Sequence, residues 1–351
     1  MAKKWNLPKP SRTELWWRNA LALFICAAFP LFFATALWAQ GNAQSSVNLA
    51  AHAHGDGWQT GSVKTWSATG QLTVYRYDKD GGQSQDTFPV TVLHQAGPSG
   101  GGAQGDKLQR LIFKAPEAPP ASAGPSQPVS VNIFSFDRLL TREGTDGTNQ
   151  WHSAGPLSTQ ASGHPQRFIE SQTNRSLEAL FNFQKHGKNL KDVTADILAQ
   201  DPGDSAPGNS DTSGHAHTIP SFAAAKNKHV IEMGGTSNKK LGIDTDATRY
   251  YIDDSTSMVT RMEFDYDSAT DPFSKQPLAL TEVYEFSDYR DVPVAPPNPF
   301  STKPSGSSAG AGATVKFPFR IDRYDTGQLV ESLVFTQVVL NQNLRPENFR
   351  K

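Results

Sequence analysis

Residues 258–267 read MVTRMEFDYD. Met258, Thr260, Met262, Phe264 and Tyr266 alternate with Val259, Arg261, Glu263, Asp265 and Asp267. A period of two puts successive side chains on opposite faces, as a half-buried strand requires. Just upstream, Arg249–Asp253 (RYYID) has the same character, and Asp254-Ser255-Thr256-Ser257 supplies turn chemistry. The two stretches read as a hairpin.

The pattern continues toward the C-terminus. Leu280–Tyr289 is the next strand, and Val315–Tyr324 (VKFPFRIDRY) comes after it. In the latter, Val315, Phe317, Phe319 and Ile321 are apolar while Lys316, Arg320 and Asp322 face away. Pro318 lacks a ladder donor, which predicts an edge or a bulge there. Asp325-Thr326-Gly327 makes a tight turn, and Gln328–Leu340 returns as a long strand. Consecutive strands joined by hairpins form an antiparallel meander.

Upstream, Ser67–Tyr77, Asp86–His94, Lys107–Lys114 and Val129–Leu140 read as strands, with a turn at Asp78–Gly82. Between the halves, Leu177, Leu180, Phe181 and Gln184 show helical spacing, with Ser176 placed to cap the start. Asn189–Gln200 extends this helix or forms a second one, and Ala43–His54 carries a weak helical signal. The count is roughly nine or ten strands and one to three helices, without βαβ alternation. That excludes a doubly wound sheet. It predicts a mainly β (α+β) chain with one large, curved antiparallel sheet and helices on one face.

The N-terminus has three zones. Residues 1–19 carry Lys3, Lys4, Lys9, Arg12 and Arg18 against one acid, Glu14. Residues 20–38 are uncharged, and small residues stand at Ala34, Ala36, Ala39 and Ala43. A cleaved secretory signal over 1–36 fits this order. The alternative is an uncleaved anchor in which 20–38 span a bilayer with Trp16, Trp17 and Trp38 at the interfaces. Both readings place the rest of the chain across a membrane, in the periplasm or otherwise exported. Cys26, the one cysteine, lies within the apolar run and comes after Ile25, which excludes lipidation there. The mature part then has no disulfide and no thiolate metal site.

The chain holds 33 basic and 34 acidic residues. Without residues 1–36 it is mildly acidic, so no basic face for nucleic acid is expected. Low-complexity segments at 95–105, 115–128, 201–214 and 293–312 read as surface loops. The division that results is a leader over 1–36, an N-terminal segment over 37–56 and a single β domain over 57–351.

Catalytic signals are weak. G-x-S-x-G occurs at Gly97–Gly101 and Gly306–Gly310, but neither lies between a strand and a helix. His52/His54 and His215/His217 read as exposed histidines, lacking a third ligand nearby. Asp78–Asp86 begins like a calcium loop but has Pro89 at the twelfth position, so it reads as a turn. No cofactor or metal is expected. Apolar side chains on the strands are the more informative feature. Leu72, Val74, Phe113, Met262, Phe264, Tyr284, Phe286, Phe317, Phe319 and Phe335 are candidates to line a hollow for a hydrocarbon guest. Ordinary core packing is the competing account of the same residues.

The C-terminal stretch also resembles a known family. RYYIDDSTSMVTRMEFDY, EVYEFSDYRDV and VKFPFRIDRYDTGQLVESLVFTQVVLNQNL are similar to the ends of LolA/LolB-like outer-membrane lipoprotein-sorting proteins, especially exported relatives of the kind found in acidobacteria. Tyr251-Ile252-Asp253, Arg261, Glu263, Phe286–Arg290, Pro318–Ile321 and Phe335–Asn341 carry the likeness. It implies a half-open β-barrel of around eleven strands, with helices on the concave side closing an apolar mouth that holds acyl chains. The chain departs from the pattern in its greater length, its long loops and the lack of a clear helical lid. The resemblance implies a carrier or sensor of a lipid or acylated ligand, with a lipoprotein or other envelope protein as partner. A non-catalytic envelope scaffold with a filled core is the alternative. An enzyme acting on a lipid or glycan through Asp253 or His164 is the third reading. The sequence sets no oligomeric state.

Overall fold

The hairpin read from residues 249–267 is present. Strand β10 (Thr248–Asp253) pairs antiparallel with β11 (Val259–Thr270). Asp253 organises the turn: its Oδ1 accepts from the backbone N–H and the hydroxyl of both Ser255 and Thr256. The Ser255 hydroxyl leads the contacts that hold this carboxyl below the usual carboxylate range. With that oxygen engaged by the turn, Asp253 is a structural residue in the fold.

The computed structural model describes residues 42–55, 57–58, 62–77, 82–96, 107–113, 139–146, 150–154, 177–184, 188–200, 219–234, 236–238, 243–245, 247–270, 277–294, 313–325 and 327–349. The expected leader over 1–36, the expected turn at Asp78–Gly82 apart from Gly82, His164, His215/His217, both G-x-S-x-G matches and the interiors of the low-complexity segments lie outside them. The ends of two such segments are strand: Gln95 closes β2 and Pro293 closes β12.

The N-terminal strands are β1 (Thr65–Tyr77), β2 (Gln83–Gln95), β3 (Lys107–Phe113), β4 (Leu139–Thr145) and β5 (Gln150–Ala154). Then come β6 (Leu190–Asp192), β7 (Lys228–Met233), β8 (Thr236–Asn238) and β9 (Ile243–Thr245). After β10 and β11 stand β12 (Pro277–Pro293), β13 (Thr314–Asp325) and β14 (Gln328–Leu340). Twelve strands form one antiparallel sheet in the order β5-β4-β3-β2-β1-β14-β13-β12-β11-β10-β7-β6, and β8 pairs with β9 separately. The sheet does not close, because β5 and β6 remain its two edges. Of the Val129–Leu140 stretch, only Leu139 and Leu140 are described, and they begin β4.

The main core covers one face of this sheet. Alternate residues supply it: Leu72 and Val74 on β1, Val315, Phe317, Phe319 and Ile321 on β13, and Leu333 and Phe335 on β14. Two helices lie on the same face. Helix α1 (residues 42–53) contributes Ala43, Val47, Ala50 and Ala51, and α2 (Leu177–Phe181) contributes Leu180 and Phe181. A helical cover, not evident in the sequence pattern, is therefore present. Its signal was weak because the buried stripe of α1 is mostly alanine, which favours helix but adds little hydrophobic contrast.

Two further helices, α3 (Thr194–Leu198) and α4 (Ser221–Ala224), pack on the opposite face with Val230 and Tyr251. The sequence assigned Asn189–Gln200 to helix. Only its second part is helical, because Leu190 pairs with Met233 and so makes the first part a strand. Asp192 ends that strand by accepting from the backbone and hydroxyl of Thr194.

Strands β13 and β14 separate along their length. They pair only between Arg320–Asp325 and Gln328–Val334. Beyond that point β14 continues along β1, while Thr314–Phe319 stays with β12. Pro318 thus sits in an interior strand of the sheet but at a local edge, where its missing donor is not needed. His54 and Ser62 hold to either side of the opening: Lys316 N–H donates to His54 O (2.8 Å), and Asn341 Nδ2 to Ser62 O (2.8 Å). Gly55 permits this approach. Its φ is +92°, and a Cβ there would lie 2.6 Å from Thr314 O.

Candidate functional site

All ten side chains chosen from the sequence are buried. Nine belong to the main core cluster; Phe113 is buried outside it, past a register shift between Ile112 and Phe113. Phe286 and Phe317 line a cavity of about 40 Å³ at the opening between β13 and β14. Phe264 stacks on Tyr284 with centroids 6.0 Å apart, and Phe335 lies 6.2 Å from Phe317 in a T-shaped pair.

The cavity wall is aromatic. Trp66 meets Phe317 edge-on at 5.2 Å and stacks on His94 at 5.2 Å. Trp58 lies 6.2 Å from Phe317. Leu177 and Glu178 of α2 line the remaining side, with Pro318 and Ile321. Asn182 ties α2 to Trp58 by donating from Nδ2 to Trp58 O at 3.1 Å. Trp58 is 5% exposed, and its indole Nε1 has no acceptor among the described residues.

A second feature of the core face is charge. Arg323 donates to Glu282 (3.2 Å) and lies 3.5 Å from Glu331, which accepts from Arg110 (3.2 Å). Arg110 also pairs with Glu143. These five side chains share the face that carries Tyr284, Ile321, Leu333 and Ile112. Arg110 and Glu331 stand three strand spacings apart, about 14 Å in a flat sheet. They meet because the sheet coils toward its core. Burial alone would lower the pKa of Arg323, but the carboxylates of Glu331 and Glu282 outweigh it, so the guanidinium stays charged. The interior is thus aromatic at the opening and ionic elsewhere.

The motif residues Arg261 and Glu263 were expected on the polar side of β11. They are on that face but buried, at 3% and 2% exposure, beneath the α4 end. Glu263 accepts from Tyr251 Oη (2.7 Å), Ser221 Oγ (2.6 Å) and Arg261 (3.1 Å), and Arg261 also donates to Ile219 O (3.0 Å). Burial, then the Glu263 carboxylate, pushes the Tyr251 hydroxyl pKa up. The cluster fastens α4 to the sheet.

The histidine pair is split by the structure. His52 is exposed, as read, but His54 is fully buried, which corrects the expectation for it. Its ring lies 5.0 Å from Phe181 and 5.2 Å from Tyr289, and its Nδ1 is 2.8 Å from Ala50 O. Burial lowers its pKa to about 4. Its place one helical turn beyond Ala50 puts it on the buried stripe of α1. Among the described residues, no cluster of three His, Cys, Asp or Glu side chains could hold a metal ion. No described helix is long and apolar enough to cross a membrane.

The chain is similar in structure to a LolA superfamily protein from Nitrosomonas europaea. That match has 14% identity and a TM-score of 0.38, and covers 88% of this chain and 97% of the other. A DUF1329 family protein from Desulfovibrio piger matches over the same shares, with 8% identity and a TM-score of 0.41. No protein-family model and no curated protein sequence matches the chain. At these identities and scores the likeness assigns no residue a role.

Sequence reasoning found two members of the cavity wall and missed Trp58, Trp66, His94 and Glu178. Two tryptophans within nine residues of a Gly-rich stretch were the available signal. It also missed the interior ion pairs. There the signal was phase: Glu282, Arg323 and Glu331 fall on the same alternation as Tyr284, Ile321 and Leu333.

Proposed function

We propose that this chain is an exported, non-catalytic protein of the cell envelope that binds a lipid or other amphiphile, as a carrier or sensor. The supporting observation is the aromatic cavity at the opening between β13 and β14, covered by the short helix α2 and by Trp58. Aromatic walls offer large apolar area, and a short helix covers it with few cross-links. The leader over 1–36, cleaved or retained as an anchor at 20–38, would deliver the β domain over 57–351 to the periplasmic side. A lipoprotein or another envelope protein is the partner that would supply or receive the ligand. Nine of the ten strand residues chosen from the sequence, all but Phe113, remain the proposed lining, with Phe286 and Phe317 nearest the cavity.

Organic extraction of the purified mature protein, followed by mass spectrometry, tests this reading together with uptake of a dansyl-labelled undecanoyl ester. A co-purifying acyl lipid and saturable fluorescence enhancement are expected. A protein that carries no lipid and leaves the probe dark refutes it. A second reading, an envelope interaction protein with a filled core, draws support from the size of the cavity. About 40 Å³ holds one or two waters, not an acyl chain, unless α2 yields. Failure of both assays would leave this second reading.

A further inference from the structure

A binding role for the buried indole of Trp58 deepens the amphiphile-binding reading and depends on it. Trp58 lines the cavity, is 5% exposed, and has an Nε1–H with no acceptor among the described residues. A buried donor left unsatisfied is costly, and each such group calls for a partner. The rest of the wall offers it little: Trp66, Phe286, Phe317 and Ile321 are apolar. The polar members are His94 and Glu178, whose side chains stand 3.9 Å apart and face each other. The wall therefore places Trp58, whose indole donor is buried and unsatisfied, beside apolar rings and a carboxylate, and a guest that enters where α2 yields can reach that donor.

We propose that Trp58 Nε1–H is the specificity contact for the carbonyl of an acyl ester or amide, whose hydrocarbon chain lies against Phe317 and Phe286. A neutral carbonyl accepts from the indole without bringing a second negative charge beside Glu178. A free fatty acid would place its carboxylate near the carboxylate of Glu178, and like charges repel at that range. A bare hydrocarbon would leave the indole unsatisfied. The site thus selects an esterified or amidated chain over both. Trp58 is also placed to act as an anchor, because its own carbonyl accepts from Asn182 in the segment just after α2. Admission of a chain therefore disturbs the α2 tether and the donor at the same place.

The test is displacement of the dansyl-labelled undecanoyl ester from the mature protein by methyl myristate, myristate and tetradecane, each delivered from cyclodextrin. In Trp58→Phe, which keeps an aromatic ring, though a smaller one, and removes the donor, affinity for methyl myristate should fall about tenfold while that for tetradecane changes little. In Glu178→Gln, myristate should gain and methyl myristate should not. Indole-labelled NMR of the wild type supplies a measurement that needs no variant: the Trp58 Nε1–H resonance should shift with methyl myristate and stay in place with tetradecane. If the probe binds but that resonance ignores the ester, or Trp58→Phe leaves ester affinity intact, this inference falls and amphiphile binding stands. If the probe does not bind the wild type and no lipid co-purifies with it, the broader reading falls and takes this one with it.

Discussion

Arg323 offers the sharpest check on how the interior is built. It is 2% exposed and faces Glu282 at 3.2 Å and Glu331 at 3.5 Å. Arg323→Met keeps most of the side-chain volume and removes the charge. Glu282 then loses its guanidinium partner, and Glu331 retains Arg110 at 3.2 Å. Removing one partner of a buried pair costs about 3–5 kcal/mol, because the carboxylate left behind is desolvated without compensation. For a chain of this size that corresponds to a loss on the order of 10 °C in Tm. Urea unfolding monitored by circular dichroism measures it directly. Arg323→Met combined with Glu282→Gln should recover part of the loss, since the orphaned charge is removed as well. A single variant within about 0.5 kcal/mol of wild type would mean that water reaches these groups, and the account of a dry ionic interior would be wrong.

Gly70→Ala should destabilise by about 1–3 kcal/mol, since a Cβ there would stand 2.1 Å from Val334 O where β1 bulges against β14; thermal unfolding decides it, and an unchanged Tm would contradict the register. His54 makes stability depend on pH. Its pKa falls from 6.5 to about 4 on folding, so the unfolded chain binds the proton first and stability drops as pH falls from 6.5 toward 4. The full loss is about 3 kcal/mol, and His54→Gln should flatten the unfolding free energy over that window. Glu263→Gln should loosen α4, measured as faster amide exchange at Ala224 and Ala225, because the carboxylate that gathers Tyr251, Ser221 and Arg261 loses its charge; unchanged exchange would separate that cluster from the helix.

The strands were legible because their signal is local. Alternation along Val315–Ile321 and Thr260–Phe264 states which side chains face together, and the hairpin turns at Asp253 and Gly327 state where the chain reverses. At the start of β11 the reading fails, because a register shift between Tyr251 and Ile252 turns Val259, assigned to the polar face, into the main core while Met258 stays half-buried. Helix α1 was harder to read, since alanine at Ala43, Ala50 and Ala51 gives a buried stripe little contrast. The site was half legible. Phe286 and Phe317 stood out by phase and size. Trp58 and Glu178 did not, because they come from irregular or short elements whose positions depend on distant strands.

From sequence alone came a mainly β architecture, its strand order in the C-terminal half and the apolar face of most strands. These arise from backbone geometry, which repeats every two residues and is written into the chain. Only the tertiary structure decided that β13 and β14 part company, that α2 covers the opening, and that Arg110, Arg323, Glu143, Glu282 and Glu331 meet inside the sheet. Those contacts join residues as far apart as 110 and 331. They depend on how far the sheet coils, and no local pattern of side chains encodes that.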